Sequence, residues 1–174
     1  MENSIVALVC MVGIVAFIVL LWVQTNRRRD AFAATLTALQ ATPLSECPVE
    51  SSLVGTQNTA LNCYRLTLRS GLPATLITIR RPGTSTVVSG APVHTTDEYL
   101  GIYLAPSAAP LSDEWVAKWA ARIETGGLNM TGTEPRPYKV ARTEKGGVFL
   151  MWHNALTREN LRARIAEVAQ SLPA

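Results

Sequence analysis

The side chains able to do chemistry in this 174-residue chain are few and scattered. His153 follows Trp152 and precedes Asn154, at the exit of an apolar run, a place suited to a general base. Cys63 is the candidate nucleophile for it, if folding brings the two together. The competing reading makes His153 an ordinary polar residue closing a strand. Two pairs of acids, Asp97-Glu98 and Asp113-Glu114, have the chemistry to share a proton or hold a cation. Each also has a simpler role: Asp113-Glu114 at a helix start, and Asp97-Glu98 in a polar turn before a strand. There is no CxxC, no Cys/His cluster and no HExxH, so the sequence predicts no metal and no cofactor. The double glycines Gly126-Gly127 and Gly146-Gly147 resemble neither a P-loop nor a dinucleotide fingerprint. Asn129-Met130-Thr131 matches a glycosylation acceptor, relevant only in a secretory lumen.

Trp115 and Trp119 lie one helical turn apart, with Arg122 next on the same side. They read either as core residues or as an aromatic anchor for a partner, with Arg122 stacked on Trp119.

The elements that must carry these residues divide sharply at the N-terminus. Nineteen consecutive apolar residues, Ile5 to Val23, contain no charge and end at Trp22 and Val23. As a helix they span ~28 Å, about the thickness of a bilayer's hydrocarbon core. Trp22 falls where an indole meets headgroups, and Arg27, Arg28 and Arg29 follow. The preceding flank carries the α-amino group and Glu2 and is close to neutral. The positive flank therefore predicts an N-terminus outside and residues 24–174 on the cytoplasmic side. A cleaved signal peptide fits less well, because its basic residues would precede a shorter apolar core. A lipoprotein cut before Cys10 fits worse, since bulky Val9 would precede the cysteine. Cys10, Gly13 and Ala16 are small residues three apart, a weak helix-contact pattern that leaves a second copy of the chain among the candidate partners.

The arginine triplet also explains most of the charge. The chain has 16 Lys/Arg and 13 Asp/Glu, a net of +3. Residues 1–29 hold three of the former and one of the latter, leaving 13 against 12 beyond them. A domain this close to neutral excludes nucleic acid as its expected partner. On the cytoplasmic side Cys47 and Cys63 would be free thiols; with the topology reversed they become a candidate disulfide.

Phe32, Leu36 and Leu39 predict that the first helix continues to about Gln40, before Pro43. Three segments follow: residues 1–29 as anchor with basic flank, 30–51 as helical extension and short connector, and 52–174 as one soluble domain. Within the last, alternation predicts strands at Tyr64–Leu68, Leu76–Ile79, Tyr99–Leu104, Leu128–Thr131, Tyr138–Arg142 and Val148–Trp152. Pro82-Gly83-Thr84 is read as a turn into Val87-Val88. Ser112, with Leu111 as a staple to Val116, starts one amphipathic helix; Thr157, with Leu156 and Leu161, starts another. Segments 99–125 and 148–172 both place a strand before such a helix, without enough residue agreement for a repeat. The fold class is thus α+β: a single transmembrane helix, then one antiparallel sheet with two packed amphipathic helices.

The functional expectation is a single-pass, non-enzymatic protein. Its cytoplasmic-side domain would bind or position protein partners as an accessory subunit of a membrane assembly. The alternative is a membrane-tethered enzyme using His153 with Cys63 or a nearby carboxylate.

Overall fold

The computed structural model describes residues 2–54, 59–68, 71–88, 91–106, 111–123, 137–153 and 158–172. The elements run α1 (Glu2–Ala38), β1 (Thr42–Leu44), α2 (Ser51–Val54), β2 (Ala60–Thr67), β3 (Pro73–Val88), β4 (Ala91–Leu104), α3 (Asp113–Ala120), β5 (Lys139–Arg142), β6 (Val148–His153) and α4 (Arg158–Ser171). The fold is α+β, with four helices and one six-stranded antiparallel sheet in the order β1-β2-β3-β4-β6-β5.

The sheet is buried on both sides, and the side-chain period of two sorts its residues cleanly. Leu66, Leu76, Leu100, Ile102, Leu150 and Trp152 face one way, beneath Trp115 and Trp119 of α3 and Leu161, Ile165 and Val168 of α4. Cys63, Ile77, Ile79, Tyr99, Tyr103, Phe149 and Met151 face the other, beneath Val49 and Val54. Double coverage explains why β6 reads as an unbroken apolar run, Val148 to Trp152, each residue fully buried. Gly101 belongs to the second face because nothing larger fits: a Cβ there would lie 2.5 Å from the Phe149 ring. The β5–β6 turn uses Gly146 at φ +81°, and Gly147 lies tight against Tyr103 and the Leu104 carbonyl.

Three readings of the sequence are corrected here. The 42–51 stretch, read as a connector, supplies edge strand β1, paired with β2 through Leu44↔Cys63, and then covers the second face. Pro82-Gly83-Thr84 is no turn: β3 runs straight through it to Val88, with a register shift between Pro82 and Ser85. Proline is tolerated there because a bulge removes the need for its missing N–H. Asp97-Glu98 accordingly lies inside β4 rather than in a turn, and the Glu98 carboxylate is 3.0 Å from Arg80 on the neighbouring strand. The strand expected at Leu128–Thr131, Asn129, the Gly126-Gly127 pair, and the Leu156/Thr157 helix start lie outside the described residues.

α3 begins as its sequence dictates. The Ser112 hydroxyl accepts from the Trp115 N–H at 3.1 Å, and Asp113 and Glu114 occupy the first turn.

Candidate functional site

The N-terminal helix changes character along its length. From Met11 to Trp22 its large apolar side chains are 47–65 % exposed. It is long and apolar enough to cross a membrane, with a mean hydropathy of 1.6 over an 18-residue window of the helix. The Thr25 hydroxyl donates to the Leu21 carbonyl at 2.8 Å, which satisfies a polar group at the end of the apolar stretch. Two turns later the same helix enters the domain. Thr35 is fully buried, its hydroxyl bonded back to the Ala31 carbonyl at 2.8 Å. Phe32, Leu36 and Leu39 pack on the helix-covered face, with the Phe32 ring edge-on to Tyr64 at 6.5 Å.

The contacts order α1 along β2. Phe32 meets Tyr64, whereas Leu39 and Gln40 line, with Thr67 and Leu68, a cleft of about 680 Å³ shared with α4. The exposed N-terminal part of α1 therefore points toward the end of the sheet where β2 begins. β3 and β4 overshoot the sheet at that same end. β2 pairs with β3 only as far as Ala60↔Arg80, and β6 pairs with β4 only as far as Tyr99↔His153. Beyond them β3 and β4 pair with each other out to Val88↔Ala91, a two-stranded arm of roughly 25 Å at ~3.3 Å per residue. Among the described residues no other strand borders it.

Trp115 and Trp119 lie in the core. They are 8 % and 2 % exposed, stack on each other at 5.8 Å, and Trp119 meets Trp152 edge-on at 6.0 Å. Both indole N–H groups are spent on Ser171 of α4, at 2.7 Å to its carbonyl and 3.2 Å to its hydroxyl. Arg122 does lie over the Trp119 ring, at 4.7 Å, and reaches Glu167 at 2.5 Å. That pair locks α3 to α4.

His153 and Cys63 point from the same face but do not meet. β3 and β4 lie between their strands, and they sit two residues apart along the sheet, a separation of roughly 15 Å. No proton passes directly between them. His153 instead packs against Tyr99 with the rings tilted at 4.9 Å, and Tyr99 packs likewise against Tyr138 at 5.4 Å. Arg81 lies 4.9 Å over the Tyr99 ring and donates through Nε and Nη2 to the Val54 carbonyl, the Nε contact at 2.9 Å. Burial raises the Tyr99 hydroxyl above its usual range, with Asp97 and Tyr138 adding to the shift and Arg81 opposing it. Lys139 donates to the Leu53 carbonyl at 3.0 Å; burial lowers its ammonium, with Arg81 adding repulsion. The cations in this corner serve as clasps for the cover.

That cover, residues 45–54, is a strap over the second face. Glu50 Oε1 accepts from the Glu144 N–H at 3.1 Å, while Leu53 and Val54 are held by Lys139 and Arg81. Under the strap the chain brings together two residues that spacing alone left ambiguous. Cys47 is half-buried in the strap and packs against the cluster that holds Cys63, 6 % exposed on β2, close enough for the two thiols to perturb each other's titration. Cys63 first, and the Val49 backbone after it, favour the Cys47 thiolate and pull its thiol down to about 7 against the opposing effect of burial. Cys63 is pushed upward, first by Cys47 and then by burial. Cys47 also lines a cleft of about 660 Å³ whose walls include Arg65, Lys145, Glu46, Thr75 and Tyr103. The sequence signal for this site was the pair itself; its geometry depends on the strap. Among the described residues no group of three or more His, Cys, Asp or Glu converges as a metal site.

Fold and site together define an α+β protein with an N-terminal helix long and apolar enough to cross a membrane, welded to a two-sided sheet. No family model matches the chain, and no curated protein or solved structure matches it either.

Proposed function

We propose that the protein is a single-pass, non-enzymatic membrane subunit whose α+β domain positions protein partners close to the bilayer, on the cytoplasmic side. One observation carries this reading: α1 passes without interruption from lipid-suited surface to buried core, with Thr35 fully buried and Phe32, Leu36 and Leu39 packed on the sheet. A tether meant only for retention needs no such weld. A helix continuous with the core transmits the orientation of the membrane segment to the domain, so the domain's surfaces hold a set direction relative to the bilayer. Arg27, Arg28 and Arg29 then sit at the headgroups, where each contributes on the order of 1 kcal/mol with anionic lipid.

The β3–β4 arm is the partner-facing element in this reading. A two-stranded ribbon is marginal alone, and its open backbone edges suit pairing with an added strand. The arm leaves the sheet on the side to which the membrane helix points, so its partner is itself a membrane subunit. A second copy of the chain is one such partner.

Mild detergent extraction followed by native mass measurement tests the proposal. The chain is expected to run with partner subunits, and replacing residues 83–94 with a short turn should release it as a folded monomer. A wild-type chain that is monomeric on extraction sinks the reading. Labelling of Cys47 in intact cells by a membrane-impermeant maleimide would overturn the orientation.

A further inference from the structure

The strap and β2 bring two thiols into one microenvironment that the proposed anchoring role does not use. Leu44 pairs with Cys63 across the β1–β2 edge, and three residues later the chain folds back over the sheet to set Cys47 against Cys63. Both side chains belong to the apolar cluster of the second face, and each thiol shifts the other's titration, so the two share one microenvironment. Their exposure is asymmetric. Cys63 is buried, whereas Cys47 is half-buried and forms part of the wall of a cleft large enough for a small molecule. Two exposed cations, Arg65 and Lys145, and one acid, Glu46, border that cleft, a local excess of positive charge.

We propose that Cys47 and Cys63 are a reversible redox pair, oxidised by exchange with a small net-anionic disulfide that enters the cleft beside Cys47. The Cys47 thiolate attacks one sulfur of the incoming disulfide; an S–S bond forms, the external S–S bond breaks, and one thiolate leaves. Cys63 then loses its proton to solvent and attacks the Cys47 sulfur of the mixed disulfide, expelling the second external thiolate. The net change is a two-electron oxidation of two protein thiols to one disulfide and reduction of one external disulfide to two thiols. Cys47 is the attacking residue because it is the accessible one, and because Cys63 and the Val49 backbone favour its thiolate near neutral pH. Cys63 is the resolving residue because it is buried from solvent. The product is a covalent staple between the strap and β2, which fixes the cover of the second face.

The test uses the full chain in detergent micelles, with Cys10→Ser to remove the third cysteine, and glutathione disulfide as the probe. Under native conditions both thiols should disappear, with the loss of two hydrogens and no retained glutathione. Cys63→Ser should instead retain one glutathionyl group on Cys47, and Cys47→Ser should stay unreacted. Two free thiols surviving in the native chain, while the denatured chain oxidises, would overturn the pair. So would a Cys63→Ser chain that gains no adduct.

A measurement free of any folding risk is the pH profile of Cys47 alkylation in the otherwise native chain. A midpoint near 7 is expected, and a midpoint near the ordinary value of 9.0 would refute the activated thiol. The charge preference is read separately. Arg65→Gln with Lys145→Gln should slow reaction with glutathione disulfide several-fold and leave the cationic disulfide cystamine no slower. Equal slowing of both would remove the anionic preference.

Discussion

The two faces of the sheet are covered by different means. On one, α3, α4 and the end of α1 lay large side chains on the sheet: Trp119 and Leu161 of the helices, and Leu150 and Trp152 beneath them, are all 2 % exposed or less, with both tryptophans of α3 tied to Ser171. On the other, ten residues of strap do the same job over Ile77, Ile79, Phe149 and Met151, held by three polar clasps. A helix satisfies its own backbone and needs only an apolar stripe to dock. The strap ends in the single-turn helix α2, whose last carbonyls have no partner within the helix, and Arg81 and Lys139 donate to two of them, at Val54 and Leu53. Each cover borders a cleft, but only the thin one leaves a thiol, Cys47, on the cleft wall.

This contrast can be broken most severely on the helical side. Trp119→Ala should cost about 3–5 kcal/mol of unfolding free energy, read by chemical denaturation in micelles, because the cavity lies between two helices and the sheet. A loss under 1 kcal/mol would mean that the helices contribute little to the core. On the strap side Arg81→Gln should cost about 1.5–3 kcal/mol, the range for a bond from a charged donor. Hydrogen exchange should show the loss concentrated in residues 45–54, and uniform deprotection would show that the faces are not independent.

A smaller effect follows from pH. The folded Cys47 thiol titrates near 7, below its ordinary value of 9.0, so folding favours its thiolate. Its contribution is complete above the unfolded value and is lost as pH falls through about 7. Cys63 is shifted the other way and offsets the gain above its ordinary value. Stability should therefore rise from about pH 7 toward 9, and Cys47→Ser should flatten that rise in thermal melts. The smallest change is expected at the base of the arm. Arg80 and Glu98 are 46 % and 39 % exposed, so Arg80→Gln should shift stability by no more than about 1 kcal/mol.

Much of the architecture was legible in the residues, where local rules act alone. Alternation at Tyr64–Leu68, the Ser112 cap and the basic flank after Val23 are each written within a few positions. Misreadings came where a distant neighbour overrode the local signal. Pro82 and Gly83 look like a turn, yet β4 pairs through them with a register shift. Pro43 and Pro48 mark a connector by composition, yet β2 offers an open edge at Leu44 and the second face needs a cover. Trp115 and Trp119 carry the same spacing whether they face a partner or a sheet, and only the position of α4 settles it.

By itself, then, the sequence determined an apolar helix with a positive flank, a nearly neutral domain, and an α+β order of elements, since these depend on contiguous residues and their periodicity. Tertiary structure alone decided that the tryptophans are buried, that His153 and Cys63 stay apart, and that Cys47 reaches Cys63. Those outcomes depend on strand order and on the path of the strap, and residues sixteen apart in the chain become neighbours only when a face of the sheet must be kept from water.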